Sequence, residues 1–244
     1  MDSMFLPGVP ADQVMTALSA AGGNEITSGK FASPQSSAAL AVNAFGWFLE
    51  RANTLPLLPG LNACDWPALR VDLERQMRLP WRGGRHPWLD AAIETKTTLI
   101  GVESKRFEPF RDRKRAKLSD AYDRDVWGDE MQPFKAIRDR LRADHSAFRF
   151  LDAAQLVKHA LGLVTEGKRC NKRPILYYLY AEPTEGRSIT EEQFRQHRAE
   201  IAVFAQAVHG AAVQFAAGNY RDWLACFAGP ARRHATKLVE RFHL

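Results

Sequence analysis

The stretch "RPILYYLYAEP", residues 173–183, is rich in β-forming side chains and apolar on both parities. A strand of that kind has no face to spare for water and needs cover on both sides, as in the interior of a layered sheet. Helical patterns flank it. "FLDAAQLVKHALGLV" precedes it, with Leu151, Leu156, Leu161 and Leu163 among its apolar positions and Gly167 soon after. "ITEEQFRQHRAEIAVFAQAVHG" follows it, with Thr190 and Gln193 offering a capping box. The expected class is α/β.

Upstream, "SPQSSAALAVNAFGWFLERA" predicts an amphipathic helix with Ser33 or Ser36 as its cap. "RVDLERQMRLPW" alternates, with Val71, Leu73, Met77 and Leu79 on one parity, and the turn signal "RGGRHP" leads to two more strands near 88–95 and 98–106. Together these read as a three-stranded meander. A short helix is expected around 134–143, a strand around 212–216 and a C-terminal helix from Tyr220 onwards. Residues 1–33, small and Gly/Ser-rich, read as an N-terminal arm, and 34–244 as a single domain. At 244 residues, 45% apolar and 25% charged, the chain is long enough for one substantial core.

No apolar run approaches the ~18 residues a membrane-spanning helix needs, and the first residues lack the pattern of a signal peptide, so no membrane is expected and the location is cytoplasmic. Cys64, Cys170 and Cys226 are far apart and show no zinc-type spacing, so they read as reduced thiols. The net charge of +6 favours an anionic partner such as nucleic acid. Much of it lies in "KRFEPFRDRKRAK", with Lys105, Arg106, Arg111, Arg113, Lys114, Arg115 and Lys117 against Glu108 and Asp112. Taken alone, such a run is more often a solvated face than a binding site.

The segment just before it, "HPWLDAAIETKTTLIGVESKRFEPF", sets charged residues inside two apolar strand patterns, where burial is costly unless they are paired or bind something. A turn centred on Lys96 and Thr97 would oppose Asp90 and Glu103 on one face, and strand alternation adds Glu94 and Lys105 to it. Two opposed carboxylates repel each other. A divalent ion with oxygen ligands, such as magnesium, resolves the conflict. The other reading is a surface salt-bridge ladder in which Lys105 neutralises both acids.

An acid on one strand followed by Glu103-Ser104-Lys105 on the next resembles the PD-(D/E)xK superfamily of restriction-endonuclease-like nucleases. The literal Pro-Asp pair is absent, because Trp88 and Leu89 stand between Pro87 and Asp90. "SSAALAVNAFG" and "FRFLDAAQLVKHALGL" are also similar to phrases of a bacterial group of restriction-endonuclease-like proteins, which extends the likeness over roughly residues 35–225.

The resemblance implies an α-β-β-β-α-β core with a central mixed sheet flanked by helices. It implies hydrolysis of phosphodiester bonds, most readily in DNA, with Mg2+ as cofactor and Mn2+ as a substitute. Asp90 and Glu103 would hold the metal with the backbone carbonyl of Ser104, and Lys105 would orient the attacking water. Gln155 would support the site, and Glu50 and Glu94 are possible additional acids; for each, an ordinary solvated position is the alternative. The basic run from Arg106 to Lys117 would track the phosphate backbone. The aromatics of 109–148 would stack on bases, or else form a small core beneath a loop. His86, His159 and His209 show no mutual spacing suited to catalysis and read as structural or exposed. A homodimer is a further partner to test. The alternatives are a protein of this fold that binds nucleic acid without cutting it, and a metal-dependent hydrolase of another anion.

Overall fold

The computed structural model describes residues 4–21, 29–33, 35–62, 66–111, 118–185 and 188–244. In chain order these form α1 (Ala11–Ala20), α2 (Ser37–Gly46), β1 (Arg70–Gln76), β2 (Trp88–Glu94), β3 (Thr98–Lys105), α3 (Gln132–Ala143), α4 (Ala153–Cys170), β4 (Arg173–Tyr180), α5 (Glu191–Ala207), β5 (Gln214–Asn219), α6 (Tyr220–Ala225) and α7 (Gly229–Phe242). The strands make one sheet in sequence order. The first three pair antiparallel, and β4 and β5 continue from β3 in parallel. This mixed sheet, flanked by helices and entered through α2, is the α-β-β-β-α-β order expected from the resemblance.

The two-sided pattern of β4 explains the layering. Ile175, Tyr177 and Leu179 join a core with α1, α2, α6 and α7 on one face. Leu176 and Tyr178 join a second core with α3, α4 and α5 on the other. β3 is likewise buried from Thr98 to Ser104. Gly101 faces α4 so closely that a Cβ there would lie 2.2 Å from Leu89 Cδ1 and 2.9 Å from Leu163 Cδ1.

Local sequence accounts for the helix boundaries. Ser36 accepts the N–H of Ala39 at 3.0 Å to start α2, and Asp152 accepts that of Gln155 at 2.9 Å to start α4. Asn171, in the left-handed region at φ 51°, ends α4. The Thr190–Gln193 capping box opens α5 as expected.

Three expectations need correction. The N-terminal segment is no detached arm. Val14 and Leu18 of α1 pack into the first core, and the fully buried amide of Asn43 accepts the N–H of Leu6 at 2.7 Å. Nor do the apolar residues of β1 and its extension share a face. Val71 and Leu73 lie in the first core and Met77 and Leu79 in the second, because Glu74 at φ 47° turns the chain over. Finally, the C-terminal helix is two helices, broken where Gly229 adopts φ 54° ahead of Pro230. The aromatics of the 109–148 segment resolve toward the core reading, with Trp127, Phe134 and Phe148 buried.

The second core also holds a histidine. His197 is wholly buried, its Nε2 is 2.9 Å from the Tyr178 hydroxyl, and the rings of Tyr180 and Phe110 close around it. Burial, with a smaller push from Arg198, lowers its pKa from 6.5 to about 3. As pH falls below 6.5 the unfolded chain takes up this proton while the folded chain does not, so stability present above 6.5 is lost on acidification. Urea unfolding should show stability falling between pH 6.5 and 4.5. The slope for His197→Gln should be shallower by about one proton, ~1.4 kcal/mol per pH unit. Parallel curves for the two proteins would remove His197 as the source.

Candidate active site

The predicted hairpin register is the one observed: Ala91 opposes Val102, Ala92 Gly101, Ile93 Ile100 and Glu94 Leu99. The ladder stops at Ala91–Val102, while β2 stays paired with β1 to Trp88 and β3 with β4 to Lys105. The sheet therefore forks between β2 and β3, at the step where Asp90 and Glu103 stand. Inside the fork the Asp90 carboxylate takes over the role of a strand carbonyl, with Oδ2 accepting the Ser104 N–H at 2.6 Å. On the opposite face of β3 the Ser104 hydroxyl meets that of Tyr220, at the start of α6, at 2.7 Å. Ser104 thus meets the acid through its N–H and braces the strand through its hydroxyl.

Glu103 sits deeper, with 3% of its side chain exposed, and ion-pairs through Oε1 with Lys105, itself 15% exposed. That burial is at odds with a surface ladder. His159 of α4 brings Nε2 to 2.9 Å from Oε2, an ion-pair distance, although the contact lacks the line of a hydrogen bond. Burial opposes ionisation of Glu103, but Lys105 and His159 outweigh it and hold the carboxyl down at about 2. Burial also works against the Lys105 ammonium, yet Glu103, Asp90 and Glu108 together raise its pKa. Asp90 shifts the other way. Burial, then the charges of Glu103 and Glu74, raise its pKa well above the ordinary value, against the pull of Lys105 and the Ser104 N–H. Its surface is half-buried, so the crowding around the carboxylate does not seal it from solvent.

The other predicted residues divide. Gln155 lies on α4 one turn before His159 and so shares its side of the helix. Glu94 is engaged elsewhere, by Arg75 through Oε1 and by Lys172 at 2.9 Å through Oε2. Burial opposes that carboxylate, but these partners lower its pKa. Glu50 is exposed and accepts from Gln13 of α1 at 2.7 Å, and the structure does not bring it to the pair. Arg106 is 1% exposed, which corrects its assignment to a nucleic-acid surface. Its guanidinium lies over Phe107 and Phe242 and donates to the Phe242 carbonyl at the end of α7. Arg111 is exposed, and Arg113, Lys114, Arg115 and Lys117 lie outside the described residues.

His159 was missed as a site residue. Its only trace in the sequence is one polar ring among the apolar positions of a helix, which spacing does not separate from a core histidine.

Among the described residues no three His, Cys, Asp or Glu side chains converge on one point. The donor set is a pair of carboxylates, one raised in pKa by burial and then by the charge of the other, and this fits a hard cation that keeps water and phosphate oxygens as its remaining ligands. In the protein without metal the two acids should therefore differ in stability. Glu103→Gln, which strands a buried Lys105, should lose about 3 kcal/mol in urea unfolding at neutral pH. Asp90→Asn, which keeps an acceptor for Ser104 and removes the repulsion, should be neutral or stabilising. Equal losses would refute the asymmetry.

A search among curated proteins finds no match to this chain, and neither does a search among solved structures. The model of one family, described as restriction endonuclease associating with ARP, matches residues 7–210. That span contains the forked hairpin, α4 and β4, and by it the chain belongs to this restriction-endonuclease family.

Proposed function

We propose that this protein is a metal-dependent nuclease that hydrolyses phosphodiester bonds of nucleic acid, DNA before RNA, with Mg2+ as cofactor and Mn2+ as a substitute. The observation that carries the reading is the buried Glu103–Lys105 pair facing Asp90 across the fork of β2 and β3. Family membership supports it. The family's description adds ARP as a proposed partner, and a homodimer in the cytoplasm is the proposed setting. Among the described residues no helix is long and apolar enough to cross a membrane.

Asp90 and Glu103 would hold the cation. When bound, the cation supplies polarisation of the phosphoryl group and a water of lowered pKa. Lys105, held as an ammonium by the acids around it, acts as a donor and not as a base. It orients the attacking water and meets charge growing on the phosphoryl oxygens. His159 steadies Glu103 from α4 so that the carboxylate keeps its aim. Gln155, one turn away, would hydrogen-bond a phosphate or a water. Hydrolysis adds water across one P–O bond and leaves a phosphate on one fragment and a hydroxyl on the other.

A second reading has an observation of its own. Both oxygens of Glu103 have partners, Lys105 and His159, an arrangement also suited to a fold that binds nucleic acid without cutting it.

Incubation with linear and circular duplex DNA, single-stranded DNA and RNA, in Mg2+, Mn2+ or EDTA, separates the two. Cutting should require metal and fall at least about a hundredfold in Asp90→Ala and in Glu103→Ala. Lys105→Ala should lose turnover by a similar factor while Mg2+ affinity stays within a few-fold. Binding without cutting in every arm would select the second reading, and cutting in EDTA would remove the metal.

A further inference from the structure

Next to the site, on the far side of the same helix turn, lies a cavity of about 550 Å3. It is walled by the loop before β2, by α3 and its flanking loops, and by Lys158 of α4. Consecutive helix residues point about 100° apart, so while His159 reaches Glu103, Lys158 is directed into this cavity. Arg85, Arg142, His145 and Lys158 line it, and among the described residues no Asp or Glu does. Trp81, half-buried and edge-on to Tyr122 at 6.4 Å, forms an aromatic wall.

The cations are not equally available. Arg142 is bound to Asp123 and donates to the Ser119 carbonyl at 3.1 Å, so its role is to shape the wall. Lys158 forms no hydrogen bond or ion pair among the described residues, and Arg85 and His145 likewise have none. Burial lowers the pKa of Lys158, and only Asp152, the helix cap, opposes it. A half-buried ammonium without a carboxylate partner is costly unless an anion completes it.

Cations and an aromatic wall lining one cavity suit a ligand with both an anionic and a flat apolar part, in a volume typical of small-ligand sites. We propose that this cavity binds one nucleotide unit, its phosphate against Lys158 and Arg85 and its base against the Trp81 and Tyr122 wall. The source is either a free nucleotide or a residue of the bound strand beside the cleavage site. The inference deepens the nuclease reading, because the shared turn of α4 would link the grip on a flanking nucleotide to the aim of Glu103.

The test is calorimetric and reads binding alone, so it does not depend on cutting. Wild-type protein in EDTA, which withholds the metal, is titrated with dAMP, with inorganic phosphate and with a short single-stranded deoxyoligonucleotide. dAMP should bind more tightly than phosphate. Lys158→Gln and Arg85→Gln should each weaken dAMP at least about tenfold, as for one lost charge-assisted hydrogen bond. Trp81→Leu should weaken dAMP but not phosphate. If only the oligonucleotide binds, and Lys158→Gln weakens it by the same factor, the strand is the source and the pocket stands. Phosphate binding as tightly as dAMP would overturn the nucleotide assignment. So would unchanged affinities for dAMP and oligonucleotide in both charge variants whose thermal melting matches the parent. A wild-type protein that cuts nothing removes the nuclease reading and leaves this result untouched.

Discussion

Glu103 is an ionised group in an interior that tolerates few, and what surrounds it follows from that. Lys105 has to lie along the same strand face, and His159 has to come down from α4, so the charge fixes how β3 sits beneath that helix. Gly101, two residues earlier on that face, leaves no Cβ to hold the helix away. From β3 the constraint spreads to β4, which covers its parallel edge along the full length of the strand, and through Ser104 to Tyr220 at the start of α6. The buried pair and the bracing of its strand make one unit. Asp90 stands outside that balance, raised in pKa by burial and by Glu103, and so retains unspent affinity for a positive charge.

Much of this was legible. The hairpin register followed from period-2 alternation and a turn centred on Lys96 and Thr97, and the same parity placed Asp90, Glu103 and Lys105 together. The double-sided cover of β4 followed from its apolar character on both parities. Helix starts were legible where a side chain makes the cap, as at Ser36 and Thr190.

What escaped depends on tertiary context. No local rule gives Glu74 a left-handed backbone, and with it goes the switch of faces between Leu73 and Met77. Arg106 belongs to a basic run by sequence, but it directly follows β3 with its guanidinium turned toward α7 and has become the partner of a helix-end carbonyl. His159 differs from any core histidine only by what lies across from it. The break before α7 is written in Gly229 and Pro230, a residue free to take a positive φ followed by one that lacks an N–H.

The left-handed residue in β1 has a consequence for how copies of the protein can meet. β1 is an edge strand, and its outer side is where a further strand would add. A strand that turns over at its fifth residue cannot offer a straight row of backbone groups, and Arg70, Asp72 and Arg75 set interlinked charges along it. Twist and charge together disfavour growth of the sheet on that side. An association of two copies that extends this sheet through β1 is disfavoured by the same twist and charges.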